Sequence, residues 1–349
     1  MTIGAGILGF AHSHVITYCR RWTQEPALGV RVVAGWDHDA ERAKTEAANF
    51  ALEICDSPQA LVGRGDVDAV IVGAETARHA ELVELAAAAG KAVVVQKPLA
   101  LTLEQADRVV KAVEDHRVPF TLVWQMRADP QNLKMKSLIR GGVVGRVLMV
   151  RRRHGLSTHL WQGFENTWHV DPAANRDMWA DDASHPIDFI YWLLGMPASV
   201  VAEIDTLVNP KVPMDNGIAV FRYRDGAFAE VCCSFTCVAA ENTTEIVGEK
   251  GVIIQNYGDA PSANVPRPEG AAGLKWYVQG EGRWTISDIP SPASHGERIA
   301  ALAAPLADFL NGRRPAICTA REGRDTLRMV LACYESAVQG RRVLFSGPA

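Results

Sequence analysis

The chain has no run of about 18 or more apolar residues, so it offers no candidate membrane span. It has seven cysteines but no C-x-x-C pair, and the adjacent Cys232 and Cys233 are poorly placed to bridge each other. Reduced thiols and a cytoplasmic location are expected. A basic excess is also missing: 36 Lys and Arg face 40 Asp and Glu, a formal net charge of -4. That balance argues against nucleic acid or an anionic membrane surface as a partner. The stretch after Met1 lacks a basic segment followed by an apolar run and a cleavage site, so no export signal is expected. His154, His159, His169 and His185 match none of the common zinc spacings, and no metal is expected.

What is present suits a globular protein, with 48% hydrophobic and 22% charged residues. A length of 349 residues exceeds one ordinary core, and two domains are expected. Up to residue 123, strand-like runs alternate with helical patterns. The strands read Ile3–Leu8, Val30–Trp36, Glu53–Cys55, Ala69–Val72, Ala92–Gln96 and Phe120–Trp124. Helical stretches fall near 12–23, 39–50, 57–63, 77–89 and 103–115. "AVVVQK" is nearly all apolar, the mark of a strand buried on both faces. This alternation predicts a Rossmann-type α/β domain, a doubly wound parallel sheet, over residues 1–123. Such sheets bind ligands at the carboxyl ends of their strands.

The opening "GAGILGFAHSH" contains a formal G-x-G-x-x-G at Gly4, Gly6 and Gly9. A turn opening at Gly4 would leave a first strand too short for the centre of a sheet. A turn opening at Gly9 leaves Ile3–Leu8 as the strand and Gly9-Phe10-Ala11-His12-Ser13-His14 as the phosphate loop. The motif is then a degenerate G-x-A-x-x-H, with His14 where a glycine usually lets the helix pack closely. Asp37 ends the second strand, where this fold carries an acid for the ribose hydroxyls. A carboxylate there favours NAD over NADP; Arg42 nearby pulls the other way. Read alone, Asp37 could equally be a loop acid or helix cap, since Asp39 and Glu41 follow it.

Beyond residue 123 the alternation stops and longer β patterns follow: "VGRVLMVRRRHG", "GIAVFRYRDGAFAEVCCSFTCV", "TTEIVGEKGVIIQNY" and "LKWYVQGEGRWTISDI". Arg224-Asp225-Gly226 and Gly248-Glu249-Lys250-Gly251 read as hairpin turns. In "RRR", strand alternation turns Arg152 opposite to Arg151 and Arg153.

"GKAVVVQKPLALTLEQA" resembles a signature of the Gfo/Idh/MocA oxidoreductases, Glu-Lys-Pro after the fifth strand, here Gln96-Lys97-Pro98. Four further segments are similar to that family. They are the helix opening with His79, the Arg-x-x-Pro segment with Arg127, Pro130 and Gly145, the Asp-x-x-x-His-x-x-Asp helix with Asp181, His185 and Asp188, and the closing helices. The resemblance implies a second α+β domain over residues 124–349, with an open, mostly antiparallel sheet. The last helices could pack back on the first domain. Pairing through that sheet into a homo-dimer or homo-tetramer is the family's usual arrangement.

The resemblance further implies an NAD(P)-dependent oxidoreductase acting on the carbinol carbon of a sugar, inositol or related polyol. NAD is the expected cofactor, held by Gly9 to His14, Asp37, His38, Ala74, Glu75, His79, Gln96 and Lys97. His185 is the expected general base, Lys97 polarises the oxygen, and Asp181 orients the imidazole or a neighbouring hydroxyl; the roles of Lys97 and His185 could be exchanged. The expected substrate set is Lys97, Gln125, Arg127, Arg152, His154, Trp161, Trp168, Arg176, Trp179, Asp181 and His185. Tryptophan faces with polar tips suit a polyhydroxylated ring, although at least one of these tryptophans should plug the core. Taken without the family, Asp181 and His185 are simply a polar pair on one helix face.

Two departures stand out. Gln96 replaces the family's Glu, and Asn175-Arg176-Asp177-Met178-Trp179 replaces a glycine cluster before Asp181. Two other functions remain open: a lyase or glycosidase that uses bound NAD for transient oxidation, and a non-catalytic dinucleotide or sugar sensor.

Overall fold

The computed structural model describes residues 2–239, 242–256 and 269–345. Tyr257, the last residue of one expected β pattern, lies outside them. The chain divides into two compact units. The first comprises Met1–Gln125, Ala173–Asn175 and Ile299–Leu327. The second comprises Met126–Pro172, Arg176–Arg298 and Arg328–Ala349.

In the first unit, β1 (Ile3–Leu8), β2 (Val30–Trp36), β3 (Glu53–Ile54), β4 (Ala69–Val72), β5 (Ala92–Gln96) and β6 (Phe120–Val123) form one parallel sheet. Among the described residues its order is β3-β2-β1-β4-β5-β6. The helices between are α1 (Ser13–Gln24), α2 (Ala40–Phe50), α3 (Pro58–Val62), α4 (His79–Ala88) and α5 (Leu103–His116). Their starts follow short-range chemistry: Asp39, Ser57 and Thr102 accept backbone N–H groups in the first turns of α2, α3 and α5. Every residue of β4 is buried, as expected of a strand covered on both faces.

Gly4 and Gly6 lie inside β1, and the turn opens at Gly9 with φ 89°. The first two are glycines for packing. A Cβ on Gly4 would meet the Asp66 carbonyl oxygen at 1.9 Å, and one on Gly6 would meet Leu61 at 2.6 Å.

In the second unit, β7 (Val147–Gly155), β8 (Ser199–Asp205), β9 (Asn216–Arg222), β10 (Phe228–Ser234), β11 (Thr243–Gly248), β12 (Gly251–Gln255), β13 (Leu274–Val278), β14 (Trp284–Ile286) and β15 (Val343–Leu344) make a mixed sheet. Its order among the described residues is β14-β13-β12-β11-β7-β10-β9-β8-β15. All its pairings are antiparallel except β7 with β10. β8 and β15 carry no clear sequence pattern: β8 ends in outward-facing acids, and β15 has two residues.

The short α6 (Gln125–Ala128) leads into α7 (Pro130–Arg140), which Asp129 caps. A π-turn, Trp179–Ala183, runs directly into α8 (Ser184–Leu194). Ile187, Phe189 and Ile190 of α8 join Val150, Phe221 and Val231 of the sheet in one apolar core.

Candidate functional site

Each unit carries a polar constellation of its own. In the first, Gly9 approaches the loop after β4 so closely that a Cβ would lie 2.5 Å from Ala74. The close approach of α1 is allowed at Gly73 rather than at position 14. A Cβ on Gly73 would meet Val15 at 2.5 Å and the Gly9 carbonyl oxygen at 2.8 Å. The His12 N–H donates to the Gly73 carbonyl (2.9 Å), and His12 caps α1 by accepting from the His14 N–H (3.4 Å). Ser13 opens the helix, and no acidic side chain stands in its first turn. A positive-φ glycine after β1 and a helix N-terminus without a carboxylate fit the pyrophosphate of a dinucleotide.

Asp37 is buried at the end of β2 and its carboxylate is fully engaged. Oδ2 accepts from the Phe10 N–H (2.7 Å) and from Arg42 Nε (2.7 Å). Oδ1 accepts from the Asp39 N–H (2.8 Å) and from Arg42 Nη2 (2.8 Å). Burial pushes the Asp37 pKa up, but these bonds outweigh it and hold the carboxyl below its ordinary value. Arg42 Nη2 also donates to Glu75 Oε1 (2.9 Å), and the partly exposed His38 places its Nδ1 3.3 Å from Asp37 Oδ1.

His79 is buried, with Nδ1 2.9 Å from the Pro98 carbonyl oxygen and Nε2 3.1 Å from that of Ala74. It therefore ties the turn after β4 to the turn after β5. Burial pulls its pKa down against those carbonyl contacts. Lys97 follows β5 at 3% exposure. Gln96 is wholly buried. Its Nε2 lies 3.4 Å from the Tyr18 hydroxyl, and its Oε1 has no hydrogen-bond partner among the described residues. Gln125 is buried at the end of this unit.

In the second unit, the π-turn presents two consecutive acids to different histidines. Asp181 Oδ2 lies 3.0 Å from His169 Nδ1. Asp182 Oδ2 lies 2.8 Å from His154 Nε2, and its Oδ1 lies 3.8 Å from His185 Nε2. The imidazoles of His154 and His185 are buried, their centroids 6.3 Å apart. The acid recorded beside His185 is thus Asp182, which sequence reasoning passed over because a lone extra acid in "WADDASH" carries no spacing signal. His169 is stacked between Phe164 (6.0 Å) and Trp168 (4.0 Å), and Trp161 meets Phe164 edge-on. Trp161 is half exposed, so this loop offers an aromatic surface next to Asp181.

Several other expected substrate residues are set deeper. Trp179 has no exposed surface and belongs to the core. Arg152 is buried opposite the exposed Arg151 and Arg153, donating to Thr244 (2.7 Å); burial pulls its pKa down to about 10. Arg127 grips Asp188 with two prongs, Nε–Oδ2 2.9 Å and Nη2–Oδ1 2.8 Å, both side chains buried. Arg176 holds φ 79°, a left-handed backbone at the place of the family's glycines, with its guanidinium 4.3 Å from the Tyr334 ring. Among the described residues no cluster of three or more His, Cys, Asp or Glu could hold a metal ion, and no helix is long and apolar enough to cross a membrane.

Comparisons with known proteins find family matches in both halves of the chain. Residues 1–123 match the oxidoreductase family with an NAD-binding Rossmann fold, and residues 132–254 match the GFO/IDH/MocA C-terminal domain. The chain is 32% identical over 261 residues to inositol 2-dehydrogenase 3 of Saccharopolyspora erythraea, covering 72% of this chain and 73% of that one. It is 28% identical over 288 residues to levoglucosan dehydrogenase of Pseudarthrobacter phenanthrenivorans, covering 73% and 72%. A solved levoglucosan dehydrogenase, in complex with NADH and levoglucosan, shares the fold with a TM-score of 0.82 at 20% identity over 99% of both chains. With family matches along both units, this chain belongs to the GFO/IDH/MocA oxidoreductase family.

Proposed function

We propose that the protein is an NAD-dependent dehydrogenase of a cyclic polyol or sugar. The observation that carries this reading is the burial of Lys97 after β5 and of His185 at the head of α8, with the Asp182 carboxylate 3.8 Å from the imidazole. The names of its relatives supply the substrate class: inositol, levoglucosan and 1,5-anhydro-D-fructose are the compounds those enzymes are named for.

Bound nicotinamide supplies the acceptor or donor of hydride for the carbinol carbon. The residues that would hold the dinucleotide are Gly9 to His14 at the phosphates and the group around Asp37 at the adenosine. Lys97 donates to the carbinol oxygen and stabilises the charge that develops as its proton leaves. His185 takes that proton, and Asp182 stabilises the imidazolium that results. Asp181 and His169 bind a neighbouring hydroxyl, against the Trp168 and Trp161 faces.

Substitution of Lys97 by Met tests this. Turnover of a cyclic polyol, read at the NADH absorbance, should vanish while calorimetry still finds NAD binding. Unchanged turnover removes Lys97 from the mechanism. NAD binding by the unaltered chain without NADH from any polyol or sugar points to the lyase or sensor instead.

We also propose a homo-oligomer in the cytoplasm. Seven free cysteines suit a reducing compartment. Val201, Ile218, Val220 and Phe228 put an exposed apolar patch on β8, β9 and β10, a surface suited to a second copy. Light scattering on Val220→Lys should show a smaller particle than the unaltered protein; an unchanged mass rejects this face.

A further inference from the structure

We propose that Glu75, rather than Asp37, reads the 2′-hydroxyl of the adenosine ribose and discriminates against NADP; this rests on the NAD reading above. A carboxylate has about four acceptor positions. Those of Asp37 are taken by the N–H groups of Phe10 and Asp39 and by two donors of Arg42. Its side chain has no exposed surface. Asp37 therefore works as a clamp, joining the turn after β1 to the end of β2 and to the start of α2.

Glu75 differs in the one respect that matters. Its Oε1 is held by Arg42 (2.9 Å), which fixes the carboxylate, while Oε2 is buried with no hydrogen-bond partner among the described residues. The nearest recorded basic group is His38 Nδ1, at 3.6 Å. Glu75 as a residue is 8% exposed. A buried, oriented and unsatisfied carboxylate oxygen is costly unless a donor arrives, and a ribose hydroxyl is such a donor. Arg42, the basic residue that could have welcomed a 2′-phosphate, is held by both acids. Two carboxylates and one guanidinium leave the group with one net negative charge, which repels a 2′-phosphate.

Calorimetry with NAD, 2′-deoxy-NAD (the adenosine 2′-hydroxyl removed) and NADP tests this on the unaltered chain, Glu75→Gln and Asp37→Asn. Glutamine keeps an acceptor for Arg42, puts an amide NH2 in place of the free oxygen and removes the charge. The unaltered chain should bind 2′-deoxy-NAD roughly tenfold more weakly than NAD, the scale of a hydrogen bond to a charged group. In Glu75→Gln that difference should shrink to about twofold or less, and NADP should gain on NAD. Asp37→Asn should keep the preference for the hydroxyl while lowering the melting temperature. The proposal is overturned if Glu75→Gln retains the tenfold preference, or if Asp37→Asn alone abolishes it. Absence of binding of all three by the unaltered chain would instead overturn the NAD reading itself.

Discussion

The carboxylate of Asp182 lies 2.8 Å from Nε2 of His154, with both side chains largely buried. Its second oxygen is the one nearer His185, at 3.8 Å. One acid thus serves two imidazoles, on β7 and on α8.

Asp182→Asn should therefore lower kcat by on the order of 100-fold, the scale of a general acid–base contribution. An amide cannot stabilise the imidazolium, yet it fills the same space. Steady-state kinetics on a cyclic polyol, with a melting curve as a control for folding, checks this. A kcat within a factor of about two of the unaltered enzyme would remove Asp182 from proton handling.

Arg127 and Asp188 are a buried pair, and breaking one side should be costly. Arg127→Met or Asp188→Leu should each lose about 3–5 kcal/mol of unfolding free energy, by removing one half of a buried ion pair. The double variant should recover a large part of that loss. Denaturant unfolding of the three proteins measures it, and additive losses would contradict a direct coupling.

At Arg176 backbone strain and side-chain contacts oppose each other. Its φ of 79° disfavours any residue with a Cβ, while the guanidinium rests on Tyr334. Arg176→Ala loses the contact and keeps the strain, whereas Arg176→Gly loses both. The glycine variant should be the more stable of the two by about 1 kcal/mol. Equal thermal stability would mean that the backbone relaxes there without cost.

His79 should make stability depend on pH. Burial lowers its pKa in the folded chain below the ordinary 6.5. The unfolded chain then binds more protons as acid is added. The stabilisation is complete above the unfolded value and is lost as pH falls through the folded one, at up to about 1.4 kcal/mol per pH unit. The difference in unfolding free energy between the unaltered protein and His79→Asn should narrow between pH 7.5 and pH 5.5 (an assay window set by roughly one unit either side of the ordinary His value). A constant difference would refute this role for His79.

Much of the first unit was legible in the sequence because its signals are local. Short, nearly continuous apolar runs and capping residues such as Thr102 act within a few positions, and the strands end within a residue of where the pattern places them. The same short-range logic chose Gly9 over Gly4, since a central strand needs length. Segments such as Gln96-Lys97-Pro98 and Asp181 to His185 were recognisable as motifs, but not for what their side chains touch. Which acid meets which histidine depends on β7 and α8, about 30 residues apart in the chain, packing at one register. That the oxygens of Asp37 accept from Phe10, Asp39 and Arg42 was likewise not legible in its place at the end of β2. The parallel pairing of β7 with β10 likewise joins distant strands. Local periodicity determines which residues are buried; the tertiary structure alone decides which buried polar groups find each other, because hydrogen bonds depend on distance and angle that no spacing along the chain records.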